Sequence, residues 1–158
     1  MKTYAYIPLA LSFLATPAFA ETKTLKLNAE QVVTLINGLG ALDGYDKVIK
    51  DGAAEKTAHE NYKLGGGLRL VIARNLAALK IPYASTQAAR QKLINDANAN
   101  GPIDKDPAKA AALTKELMEV LTATDDVPLS TIKSGELKLD ENPIPGSVLS
   151  MISFILED

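Results

Sequence analysis

Asn28-Ala29-Glu30-Gln31-Val32-Val33-Thr34-Leu35-Ile36-Asn37-Gly38-Leu39-Gly40-Ala41-Leu42-Asp43-Gly44 reads as one amphipathic helix with both ends marked. Asn28 followed three residues later by Gln31 makes a capping box, in which each side chain satisfies a backbone N–H left unpaired at a helix start. Val32, Leu35, Ile36, Leu39 and Leu42 fall three and four residues apart, so they share one face, and Gly44 is well placed to end the helix. Gly38 and Gly40 each weaken it by roughly 1 kcal/mol relative to Ala, and offer room for the close approach of another backbone.

Working outward, the same periodicity recurs. Leu68, Val71, Ile72, Leu76 and Leu79 form a second stripe that can be followed past Pro82 through Tyr83, Arg90 and Ile94. This is either one proline-kinked helix or two helices, the second capped near Ser85. Asp106-Pro107 is a strong start for another, with Leu113, Leu117, Val120 and Leu121 as its buried face. Val148, Leu149, Ile152, Ile155 and Leu156 give a last helix over 147–156, after the stiff connector 140–146 with its two prolines. Between the helices, Asp51-Gly52 suits the turn of a β-hairpin within 45–64, and Val127, Leu129, Leu137 and Leu139 lie in an extended stretch broken at Ser134-Gly135. The expected fold is mainly α, a compact bundle of four or five helices with a minor β-hairpin, with α+β as the alternative.

At the other end, Met1-Lys2-Thr3 is a short positive start, Tyr4 to Ala15 is almost wholly apolar, and Ala18-Phe19-Ala20 has the small-x-small pattern that signal peptidases cut after. Residues 1–20 are therefore expected to be a signal peptide, and 21–158 a single mainly helical domain, periplasmic or secreted. Without Lys2 the remaining chain has 16 basic and 19 acidic residues, interspersed and without any Lys/Arg cluster, so nucleic acid is a poor partner. The chain has no cysteine, which excludes thiolate catalysis, thiolate metal sites and disulfide staples. No segment after residue 20 has the run of about twenty apolar residues that a transmembrane helix needs.

Four local patterns are candidate sites. Asp96-Ala97-Asn98-Ala99-Asn100-Gly101-Pro102-Ile103-Asp104-Lys105-Asp106-Pro107 resembles an EF-hand calcium loop, with Asp96, Asn98, Asn100 and Asp104 at positions 1, 3, 5 and 9 and Gly101 at the bend. The resemblance covers these twelve residues alone. Position 12, which should be a bidentate carboxylate, is Pro107, so it implies weak calcium binding, about 10⁻⁴ to 10⁻³ M. Gly65-Gly66-Gly67 before a helix, with Arg69 and Arg74 nearby, is an anion site or simply a turn. His59, the only histidine, lacks the second histidine of a zinc-protease helix and suits either a general base or solvated surface. Ser130-Thr131-Ile132-Lys133 matches Ser-x-x-Lys, in which a lysine one helical turn away activates the serine. The C-terminal stripe, apolar around much of its circumference, suits core packing, self-association or a protein partner. Taken together these patterns favour an exported, non-enzymatic protein with a binding or structural role, a weak calcium-binding domain or a small hydrolase being the alternatives.

Overall fold

The computed structural model describes residues 20–51, 54–99, 101, 103 and 106–158. The expected signal peptide over 1–20 lies, apart from Ala20, outside the described residues. The elements run β1 (Thr22–Asn28), α1 (Ala29–Ala41), β2 (Gly44–Asp51), β3 (Ala54–Asn61), α2 (Gly66–Ala99), α3 (Pro107–Thr122), β4 (Thr124–Ser130), β5 (Ile132–Lys133), a 3₁₀ turn (Ser134–Leu137), α4 (Gly146–Met151) and β6 (Leu156–Glu157).

This corrects the mainly helical bundle. About 56% of the described residues are helical and 24% are strand, in four α-helices and three two-stranded sheets. The strand content was underestimated because β1 and β4 find each other across the chain, antiparallel, from Thr22 opposite Ser130 to Asn28 opposite Thr124. Local pattern shows helix stripes well, but a strand is completed by a partner that can lie a hundred residues away. The hairpin is also longer than a minor one. β2 and β3 pair over eight residues each, from Gly44 opposite Asn61 to Asp51 opposite Ala54, so Asp51 belongs to the ladder, while Gly52 of the expected Asp51-Gly52 turn lies outside the described residues.

α1 is the centre of the fold, in contact with β1, α2, α3 and α4. Its capping box forms as read: the Gln31 N–H donates to Asn28 Oδ1 at 3.0 Å and the Asn28 N–H to Gln31 Oε1 at 2.9 Å. Val32, Leu35 and Leu39 are buried on its inner face, with Leu129, Ile132 and Ile152 fully buried in the same cluster. Gly38 permits the approach of the C-terminal segment, because a Cβ added there would lie 2.7 Å from Met151 Cβ and 2.8 Å from Ile152 Cγ2. Gly40 has nothing within 4 Å and plays no such part.

α2 resolves the question at Pro82 in favour of one helix of 34 residues, about 50 Å long, with Pro82 buried inside it. Its first half packs on β4, where buried Asn75 behaves as a backbone surrogate. Its Nδ2 donates to the Ser130 carbonyl and its Oδ1 accepts the Ser130 N–H, both at 2.8 Å. The second half reaches past the core and is accompanied by α3, whose start is fixed by Asp106 Oδ1 accepting from the N–H groups of Ala108 and Lys109, both at 3.1 Å. α3 has no fully buried residue.

The C-terminal helix is shorter than the stripe implied. It ends at Met151 because the following residues are claimed by β5: the Ile132 N–H donates to the Ile155 carbonyl at 2.8 Å, and Leu156 then pairs in parallel with Ile132. A buried Asn142 pins the preceding connector, accepting from the Lys63 N–H and donating to the Leu137 carbonyl, each at 2.7 Å.

Candidate functional site

A concavity lies where the core meets the long helices. It is a groove of about 370 Å³ between the first turns of α1, the middle of α2 and the last turns of α3. α1 contributes Val32, Val33 and Thr34, with Glu30 in its first turn. Tyr83, Thr86, Gln87 and Arg90 come from α2 at spacings of three and four residues, which place them on one helix face. Met118, Leu121 and Thr122 come from α3 at the same spacings. Caps at Asn28 and Asp106 position two of these three helices, so the walls are built on regular elements.

Three exposed apolar side chains line this groove. Val33 is 38% exposed, Tyr83 41% and Met118 54%. Arg90 is the one arginine in its lining, and it is poorly satisfied: its Nε is buried and meets no hydrogen-bond partner among the described residues. Its Nη1 reaches Gln87 Oε1 only at 3.5 Å, the outer limit of a hydrogen bond. Arg90 makes no ion pair with a described carboxylate, and Glu30, exposed at the α1 side, is not within pairing distance.

The residues singled out in the sequence fall elsewhere. Asp96 and Asn98 belong to the last turns of α2, where residues two apart do not face each other, and Asp96 lies 3.8 Å from Lys92. Asn100 and Asp104 lie outside the described residues, and Asp106 caps α3. Among the described residues no group of three or more His, Asp or Glu side chains is arranged to hold a metal. Ser130 ends β4 and Lys133 ends β5, so they are separated along extended backbone and not by one helical turn.

His59 sits on the hairpin, half exposed, with Nδ1 3.0 Å from Asp46 Oδ1 and Nε2 3.9 Å from Asp43 Oδ2. Beside it, Tyr45 donates to Glu60 Oε2 at 2.7 Å and Lys47 to Glu60 Oε1 at 3.0 Å. The Tyr45 hydroxyl, and then Lys47, hold the Glu60 carboxyl below its ordinary value, while the bond to Glu60 raises Tyr45. Gly66 opens α2 as the glycine-rich turn suggested, but Arg69 is engaged by the Tyr62 carbonyl at 2.8 Å and by Asp43 at 3.8 Å. The C-terminal stripe lies largely in the core, with Val148, Ile152 and Ile155 buried and Phe154 46% exposed. Among the described residues no helix is long and apolar enough to cross a membrane.

The groove was missed in the sequence because it is built from three segments far apart in the chain. One signal was present: Arg90 lies on the otherwise apolar stripe of α2, a cation where the pattern calls for a hydrophobe. Comparison with protein-family models, with curated proteins and with solved structures returns no match.

Proposed function

We propose that the chain is an exported, non-enzymatic binding protein, periplasmic or secreted, that holds its ligand in the groove between α1, α2 and α3. The observation that carries this reading is the groove's composition: an apolar lining on three helices, with Val33, Tyr83 and Met118 left exposed around it. A concave, mostly apolar site with a few polar groups is the usual form of a small-ligand pocket, and its volume falls within the range of such sites. Export is supported by the leader-like residues 1–20 and the Ala18-Phe19-Ala20 cleavage pattern.

The neutral apolar dye Nile red tests the site. The protein should bind it saturably at one site, and Met118→Asp or Val33→Asp should abolish the fluorescence gain while leaving the thermal midpoint nearly unchanged, since both side chains are exposed. Dye binding indifferent to both substitutions would move the site elsewhere. Mass spectrometry of protein recovered from the cell envelope should find Glu21 at the N-terminus, and an intact Met1 would remove the export reading.

A further inference from the structure

We infer that the groove takes an amphiphilic monocarboxylate, an unbranched apolar chain whose carboxylate pairs with the guanidinium of Arg90. The inference rests on the groove reading and adds the chemistry of the ligand. A guanidinium presents five N–H donors and no acceptor, and its side matches the two oxygens of a carboxylate. In Arg90 the Nε edge is the part withdrawn from water, and it has no protein partner among the described residues. A buried donor without an acceptor is unfavourable, and Arg90 has no carboxylate partner among the described residues, so the groove wall carries an uncompensated cation that an anionic head group would satisfy.

The rest of the lining limits what can carry that atom. Val32, Val33, Met118 and Leu121 offer apolar contact, and the polar groups beside Arg90 are the neutral Thr86 and Gln87. A second negative charge on the ligand would meet no further cation in the lining and would face the exposed Glu30. At roughly 30 Å³ per chain atom, close to the share of one water in the liquid, 370 Å³ holds a chain of about ten to twelve atoms. Met118 adds a flexible thioether surface that adapts to an unbranched chain.

The test is displacement of Nile red from the full processed protein by decanoate and by 1-decanol, which share a chain and differ in the head group. Decanoate is expected to displace the dye at a concentration at least about tenfold lower than decanol, the scale of one charge-assisted pair. Arg90→Gln should erase that preference while dye and decanol still bind, and Arg90→Lys, which keeps the charge without the fork, should retain part of it. Equal displacement by the two amphiphiles, or a preference untouched in Arg90→Gln, would overturn the carboxylate assignment and leave the groove standing as an apolar site. A short apolar peptide with a free C-terminal carboxylate that displaces the dye better than decanoate would overturn the small-ligand assignment in favour of a protein terminus. Failure of the unsubstituted protein to bind the dye would instead remove the groove reading itself.

Discussion

The core around α1 and the arm formed by α3 with the second half of α2 use the same residue types to opposite effect. In the core, Leu35, Leu129, Ile132 and Ile152 lose essentially all contact with solvent, and polar side chains such as Asn75 and Asn142 enter only with their hydrogen bonds made. In the arm, Leu113, Leu117, Val120 and Leu121 line one helix face, yet none is fully buried, and Met118 stands largely in solvent. An element that buries little contributes little to global stability and opens locally at lower cost. The groove lies at the seam between the two, so its α1 wall is rigid and its α3 wall is able to adjust.

Truncations should break this contrast if it is wrong. Leu129→Ala or Leu35→Ala should cost about 2–5 kcal/mol in urea unfolding, the range for a leucine removed from a closed core. Leu117→Ala, half buried in the arm, should cost no more than about 1 kcal/mol. Equal costs would mean that the arm is as much a part of the core as α1. A glycine pair on α1 sharpens the same comparison by sign. Gly38→Ala drives a methyl into Met151 and Ile152 and should destabilise by about 1–3 kcal/mol, whereas Gly40→Ala meets nothing and should stabilise by a few tenths up to about 1 kcal/mol.

The smallest effect separates the hairpin from the core. Glu60 has its carboxyl pKa lowered in the folded chain by Tyr45 and Lys47, so its contribution is present above the ordinary value of 4.5 and is lost as pH falls through the lower folded value. Glu157 behaves likewise through Lys23, which ties β6 to β1. Lys23, whose pKa is raised by the same contact, contributes below 10.5 and loses its share as pH rises through the higher folded value. Both carboxylates are on the surface, so acid should loosen the hairpin before the core yields. The chemical shift of the Tyr45 ring should titrate below pH 4.5 while the core methyls of Leu35 and Leu129 stay unchanged, and Glu60→Gln should remove the titration. Simultaneous loss of core signals would join the hairpin to the core as one unit.

Elements whose information is local were readable in the sequence. The box at Asn28 and Gln31 and the cap at Asp106 each depend on neighbours within a few residues, and each marks a boundary in the fold. Strand β1 was not read, although Leu25 and Leu27 alternate with Thr24 and Lys26, because a seven-residue alternation acquires meaning only when Val127 and Leu129 arrive opposite it. The C-terminal stripe was extended past Met151 for the same reason: nothing local announces that Ile155 and Leu156 will pair with Ile132. The groove follows this rule at a larger scale, since Val33, Arg90 and Met118 become neighbours only after the arm has folded against α1.

Amide hydrogen exchange of the protein, with and without decanoate, tests the seam most directly. Without ligand, the amides of α3 and of α2 beyond Pro82 should exchange well before those of α1 and β4. Saturating decanoate should slow exchange throughout α3 and around Arg90 and leave β2 and β3 unaffected, because a ligand bridging the seam stabilises only the closed arm. An arm already protected as strongly as α1, or protection by decanoate that appears outside α1, α2 and α3, would contradict the division of the molecule and the place of its site.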